Sequence, residues 1–311
     1  MSHHYDGPEN KNKNNPEIPP KKEVKDIIEK YNENQGNEQS MVASDIPTSN
    51  KHKPENFQST MDKETDPDLM TSYELIKLPS KGLFYSHKIG EVEIEYMTAK
   101  DEDLITTPSL IDSGKVLHVL LKRKIKTKGI VVEELLPGDR NALLLFLRSS
   151  SYGNEYNVKV YDPRNGNPFD TVVDLTKLQY KEVDEKPDEN GHFYVDIPMR
   201  KKRVIFRLLS IGEDEALFDK AEKIKEAYNN DFSEYNTMKL KSQIVSIDGK
   251  TDRSYINRFV DAMPARDALT IRKKILKVEP DVNMEYEFEA KDGYKFKSKL
   301  QIGVDFFFPD L

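Results

Sequence analysis

Two stretches of the 311-residue chain carry oxygen donors at the spacing of a metal knuckle. Asp162-Pro-Arg-Asn165-Gly166 lies within VKVYDPRNGNPF (158–169), and Glu289-Ala-Lys-Asp292-Gly293 within YEFEAKDGYKF (286–296). Each has an acidic residue, two spacers, Asp or Asn, then Gly. Cysteines at the first and fourth positions would give C-x-x-C-G, the loop of a zinc ribbon. The chain contains no cysteine, which excludes thiolate sites and disulfides. Two oxygens per loop fall short of the six or more that a hard cation gathers, and EF-hand spacing is absent. Asn-Gly and Asp-Gly, by contrast, tolerate positive φ and close tight hairpins. The expectation is therefore turn chemistry with no metal and no cofactor: Asp162, Asn165 and Gly166 in one hairpin, Glu289, Asp292 and Gly293 in a second, equivalent one.

Other reactive patterns are missing. The histidines are His3, His4, His52, His87, His118 and His192, and none falls into HxH, HExxH or a Ser/His/Asp arrangement. His118 reads as a packed or surface helix residue. Neither GxGxxG nor GxxxxGKS is present to cradle a phosphate. Carboxylates such as Glu213-Asp-Glu215 sit where a helix N-terminus favours them. No catalytic residue is picked out. Basic clusters occur at Lys122-Arg-Lys124 with Lys126 and Lys128, and at Arg200–Arg203. The first suits a helix C-terminus and the second a hairpin turn. The net charge of −7 offers no general attraction to nucleic acid or anionic lipid. No apolar run approaches the roughly 18 residues of a membrane span, and the N-terminus has no apolar core of the signal-peptide kind.

The elements that must hold these residues are α+β: helical blocks alternating with small antiparallel hairpins, zinc-ribbon-like but metal-free, after a disordered N-terminal arm. In residues 1–70 the large aliphatic and Phe side chains are limited to Ile18, Val24, Ile27, Ile28, Val42, Ile46, Phe57 and Leu69, too few to offset backbone entropy. KKEVKDIIEKY (21–31) has the spacing of an amphipathic turn or two. The ordered part divides into 71–211, with the first knuckle-like hairpin, and 212–311, helical with the second. LIKLPSKGLFY (75–85) is an extended entry turning at Pro79 and Gly82, and GEVEIEYMT (90–98) alternates as a half-exposed strand. Thr98 with Asp101 predicts a capped helix start, and Pro108 a break. Helices follow at about 112–125 and from Pro137-Gly138-Asp139 through RNALLLFLRSSSYG, whose apolar run Leu143–Leu147 places it in the core. Gly138, Asp139 and Arg140 read as a helix cap with an ion pair. Strands are expected at 155–161, 168–175, 192–197 and 203–209. Helices are expected at 213–230, with Leu217, Ala221, Ile224 and Tyr228 as its stripe, and at 234–246, 253–262 and 264–277. The tail reads as strands. Its three adjacent phenylalanines cannot all face one side of a strand. Either the tail strand is buried on both faces, or Phe306, Phe307 and Phe308 anchor a partner.

LPSKGLFY (78–85), EVEIEYMTAKDEDLITTPSLIDSGK (91–115), LPGDRNALLLFLRSSSYGNEY (136–156) and the closing VDFFFPD together resemble the baseplate hub assembly proteins of T-even-type contractile-tailed bacteriophages. The resemblance covers about 75–311. GDRNALLLFLR-x-x-S-Y-G and FFFPD are its most specific motifs. Many relatives carry CPxCG where this chain has Asp162/Asn165 and Glu289/Asp292. The resemblance implies a non-enzymatic role, as a hub assembly factor, a chaperone or a minor hub component. The implied partners are other tail and hub proteins, with no membrane and no small-molecule substrate. The protein is expected in the host cytoplasm during assembly and, if retained, in the virion baseplate. The alternative reading is a nucleic-acid-binding protein with degenerate zinc-ribbon hairpins, using Lys122–Lys128 and Arg200–Arg203.

Overall fold

The structure is a computed structural model that describes residues 72–86, 88–228 and 232–307. The expected disordered arm, the 21–31 segment, His87 and Phe308 lie outside the described residues. The fold is α+β. Strands β1 (Tyr73–Lys77) and β2 (Glu91–Glu95) form an antiparallel ribbon. Helices α1 (Ala99–Ile105), α2 (Pro108–Asp112), α3 (Val116–Lys124) and α4 (Pro137–Tyr152) follow. The hairpin β3 (Glu155–Tyr161) and β4 (Pro168–Asp174) comes next. A three-stranded sheet contains β5 (His192–Ile197), β6 (Lys202–Arg207) and β7 (Ile244–Ile247) in that order. Between β6 and β7 run α5 (Ile211–Ala227) and α6 (Tyr235–Gln243), and after β7 come α7 (Arg253–Asp261) and α8 (Ala265–Val278). The hairpin β8 (Glu285–Glu289) and β9 (Lys295–Lys299) ends the sequence of strands.

Local chemistry explains most of these boundaries. Both the backbone N–H and the hydroxyl of Thr98 donate to the Asp101 carboxylate at 2.8 Å, fixing the start of α1. Pro108 breaks the helical run into α1 and α2, and the expected helix at 112–125 is shortened to α3. Ser210 and Glu213 form a capping box that starts α5 at Ile211. In β8 and β9, Glu285, Glu287 and Glu289 lie directly opposite Lys299, Lys297 and Lys295. A slip of one residue would put like faces out of register and turn Phe288 away from the core, so charge and burial select one pairing.

The structure departs from the sequence expectation in three elements. The helix foreseen at 234–246 stops at Gln243, and Ile244–Ile247 becomes β7, pairing with β6. The β-branched IVSI followed by Asp248-Gly249 is a strand-and-turn signal that the preceding helical period masked. Tyr228, foreseen on the buried stripe of α5, is exposed. The C-terminal run is no strand: Asp305–Phe307 is a single 3-10 turn.

Apolar packing is also divided differently from the foreseen 71–211 and 212–311 split. One cluster joins the β1/β2 ribbon, α1, α3, α4, the two hairpins β3/β4 and β8/β9, and Phe306 and Phe307. The other draws its residues from Phe193 to Val278, with Leu136 added, and fills the space between β5–β7 and α6–α8. The chain leaves the first cluster, touches it again at Ile211 while building the second, and returns at Val282.

Helix α4 runs through the first cluster. Ala142, Leu143, Leu144 and Leu147 are buried, as the apolar run predicted. The motif at its start does more than cap. Gly138 abuts the 280–281 backbone: a Cβ there would stand 2.1 Å from the Pro280 carbonyl oxygen and 2.5 Å from the Asp281 Cα. Asp139 is fully buried and reaches across 59 residues of sequence to accept from the Ser80 N–H at 2.9 Å. The Tyr85 hydroxyl also donates to Asp139 and accepts from the Leu136 N–H at 3.0 Å. Burial pushes the Asp139 carboxyl above the usual carboxylate range, with the Ser80 and Tyr85 hydrogen bonds partly offsetting it. Burial and the neighbouring Asp139 push the Tyr85 phenol up as well. Arg140 has only a 3.8 Å contact with Glu215, so the foreseen ion pair is a loose one.

Replacing Gly138 with Ala is expected to destabilise the protein by about 3 kcal/mol, the upper range for overpacking, because the clash is with backbone that cannot rotate away. Urea unfolding monitored by circular dichroism measures it. An unchanged midpoint would show that the 280–281 segment yields.

Candidate functional site: the paired hairpin turns and their supports

In the first turn the Asp162 N–H donates to the Asn167 carbonyl at 3.0 Å, and the Gly166 N–H returns to the Asp162 carbonyl at 2.7 Å. The Asp162 side chain accepts from the Arg164 N–H at 2.9 Å, and the Asn165 side chain from the Asn167 N–H at 2.8 Å. In the second turn the Ala290 N–H donates to the Tyr294 carbonyl and the Gly293 N–H to the Ala290 carbonyl, both at 2.8 Å. Asp292 accepts from the Tyr294 N–H at 3.2 Å. Gly166 and Gly293 have φ of 72° and 82°, the left-handed values that Gly adopts without a Cβ penalty.

Asn165-Gly166 and Asp292-Gly293 are therefore equivalent, but the opening positions are not Asp162 and Glu289. The residue matching Asp162 is Ala290. Glu289 is the last residue of β8, paired with Lys295 and exposed, and its assignment to the turn is corrected. The second loop is one residue shorter, so counting from the acidic side chain placed it one position early.

The two turns meet through Arg164, a spacer residue of the first. Its guanidinium donates to both Asp162 oxygens, at 3.1 and 2.7 Å, and to Asp292 Oδ1 at 2.9 Å. It also lies over the Tyr294 ring, 4.0 Å from the centroid. Beneath it, Tyr294 stacks on Phe296, and Phe296 meets Phe169 of the other hairpin edge-on at 6.2 Å. The hydrogen bonds from Arg164 hold the carboxyls of Asp162 and Asp292 below their ordinary range, and Asp162 and Asp292 raise the guanidinium pKa in return.

Zinc does not fit this place. At the knuckle positions stand a carboxylate, an amide, a methyl group and a carboxylate, from Asp162, Asn165, Ala290 and Asp292. The amide oxygen and one oxygen of Asp292 already accept from the backbone, and a guanidinium lies between the carboxylates. Thiolate and imidazole donors, which zinc sites use, are absent from these positions.

Several of the other residues singled out in the sequence also have partners. Lys124 is buried and donates to Asp101 Oδ2 at 2.7 Å, with Glu95 3.6 Å away. Arg123 Nε lies 2.8 Å from Asp101 Oδ1, out of line for a hydrogen bond, and Lys126 pairs with Glu95 at 2.8 Å. In the other basic cluster Lys202 pairs with Asp248 and Arg203 with Asp196. His118 sits 3.0 Å from Glu133 at the surface of α3. Phe306 and Phe307 are fully buried in the first cluster, where Phe306 packs edge-on against Tyr156 at 4.9 Å. They have no surface to offer a partner, which corrects the docking-anchor expectation for these two rings. A 3-10 turn rather than a strand lets both rings point inward.

Arg148 secures that turn. It is buried in α4, and its Nε donates to the Phe306 carbonyl at 2.8 Å while its terminal nitrogens reach the Gly153 and Glu155 carbonyls. GDRNALLLFLR and FFFPD, far apart in sequence, are thus in direct contact. The sequence reading missed the roles of Arg148, Arg164, Ala290 and Tyr294. Only Arg164 gave a local signal, a cation two residues after an acid in a short loop.

A family model described as T4 bacteriophage base plate protein matches residues 70–308, which contains both hairpins and α4. The chain belongs to this family. It is a phage baseplate protein. Comparisons with curated proteins and with solved structures return no match. The matched span includes both α4 and Phe306.

Two outcomes are expected. Phe306→Ala should cost about 3–5 kcal/mol, as for other fully buried rings, measured by urea unfolding. At the turns, folded-state pKa values below the ordinary 3.8 mean that the Arg164 clasp contributes stability above that pH and loses it as pH falls through the depressed values. Carboxyl carbon NMR titration should place both Asp162 and Asp292 midpoints below 3.8, and Arg164→Ala should return both toward it. Midpoints unmoved by that substitution would show that the guanidinium is no clasp.

Proposed function

We propose that this baseplate protein serves the central hub, as an assembly factor, a chaperone or a minor hub component, and that it acts through protein–protein contacts rather than catalysis. The observation that carries the reading is the use made of its charged groups. Asp139, Arg148, Asp101, Lys124 and Asp267 are buried, and each is hydrogen-bonded to backbone or to an opposing side chain. Of the five only Lys124 lines a surface pocket, beside Glu95, Thr98 and Arg123, and its ammonium is held there by Asp101. That is the pattern of charges that fix a shape. Its partners in this reading are other tail and hub proteins, met in the host cytoplasm during assembly and, if it stays, in the baseplate.

Ion pairing weighs against a nucleic-acid reading. Five of the cations in the two basic clusters, Arg123, Lys124, Lys126, Lys202 and Arg203, already face carboxylates, and counterion release needs cations free to meet phosphates.

A phage of this family with its copy of the gene deleted should make tails lacking a complete baseplate, visible by electron microscopy and restored by the plasmid-borne gene. Mass spectrometry of wild-type particles then separates the roles: a few copies per virion mark a structural part, and absence marks a chaperone. Normal baseplates from the deletion phage would refute the assembly role altogether.

A further inference from the structure

Between the β5–β6 turn and α7 lies an open groove of about 750 Å³, lined by Arg200, Lys202, Tyr255, Arg258, Phe259 and Ala262. Its shape is built. Asp267, fully buried in the first turn of α8, accepts from the backbone N–H groups of Met199 and Arg200 at 2.8 and 3.0 Å and so fixes the turn that carries the cations. Tyr255 and Phe259 are one turn apart on α7, their rings 6.0 Å apart, and form the floor. The Arg200 guanidinium lies over Phe259, 5.0 Å from its centroid, and the Lys250 ammonium over Tyr255 at 4.8 Å.

Arg200 and Arg258 differ from Lys202 and Arg203 at the start of β6. Lys202 and Arg203 face Asp248 and Asp196. The guanidinium of Arg200 bonds to the Ala262 carbonyl, and that of Arg258 to the Ser254 carbonyl in its own helix turn at 3.3 Å. Among the described residues neither has a carboxylate within salt-bridge distance. On a chain of net charge −7, two exposed guanidiniums beside a half-buried aromatic floor form a local cationic site. Guanidinium donors match carboxylate oxygens in pairs.

We propose that this groove docks a short acidic segment of a neighbouring protein, with its carboxylates on Arg200 and Arg258. A polypeptide fits better than a nucleic acid. Neither ring is bare for a base: Phe259 is buried beneath Arg200, and Tyr255 carries Lys250. The inference rests on the reading of a protein that works through its surfaces, and it supplies that reading with a place and a partner chemistry.

The test is fluorescence anisotropy of the full chain with a labelled peptide of alternating Asp and Leu, its Asn-and-Leu counterpart, and a labelled single-stranded oligonucleotide, at low ionic strength. The acidic peptide should bind, the amide peptide should not, and Arg258→Glu should weaken binding by about tenfold or more. Arg258 is exposed, so its variant should keep the wild-type melting curve. Arg200→Ala provides a second variant on the other wall. Equal binding by wild type and Arg258→Glu, no binding of the acidic peptide, or binding of the oligonucleotide alone would each overturn the proposal. Complementation of the deletion phage separates this from the assembly role. If the wild-type gene and Arg258→Glu restore baseplates equally, the groove is dispensable and the inference falls while the assembly role stands. If the wild-type gene restores nothing, the assembly role falls, and the peptide measurements still decide the groove.

Discussion

The first cluster depends on a constraint at the two ends of α4. A helix buried along its length must satisfy terminal backbone groups and any charge it carries without water. Here an acid sits in the first turn and a base near the last, the arrangement the helix dipole favours. Both side chains point out of the helix to bind distant segments: Asp139 holds the Ser80–Tyr85 turn, and Arg148 holds the Phe306 carbonyl and the entry to β3. A single helix thereby fixes the first ordered ribbon and the end of the described chain. Removing either charge would leave buried donors or acceptors unpaired, which costs more than the hydrogen bonds themselves contribute.

The paired turns apply the same principle at the surface. A zinc ion in a ribbon makes two loops one unit because its ligands come from both. Arg164 supplies the same connectivity with a cation carried by one loop and shared with an acid of the other, over an aromatic layer that packs Phe169 against Phe296. The substitute is weaker than metal coordination, because exposed ion pairs are screened by water and salt. The hairpins can accept it because each already has a closed turn, a left-handed Gly and a buried apolar strand face. Joining them is left to the aromatics, and the guanidinium sets their relative position.

Legibility in the sequence followed the range of the interaction. The hairpins, the α+β class and the capping at Thr98 were readable because period two, Asx-Gly and a carboxylate three residues on are local signals. β7 was lost because four β-branched and small residues abut a helix with no Gly or Pro between them. Glu289 was misplaced because the two loops differ by one residue, and only backbone pairing counts loop length. The partners of Arg164, Arg148 and Asp139 stand 128, 158 and 59 positions away, and composition carries no trace of such pairings. The same holds for the tail: adjacent phenylalanines conflict with a strand, but a 3-10 turn, with i to i+3 bonding, resolves the conflict by a conformation that no alternating pattern announces.

The accounting of charge links fold to role. Part of the polar composition is used internally: acids hold backbone N–H groups in turns, and some bases hold carbonyls or acids. A paired cation loses much of its long-range pull on polyanions. A protein that must meet particular neighbours in a crowded assembly gains specificity from unpaired cations that the fold holds in a fixed place. Directed contact arises from what the fold leaves unsatisfied at the surface, and the same buried acid that shapes the β5–β6 turn, Asp267, decides where those cations are presented.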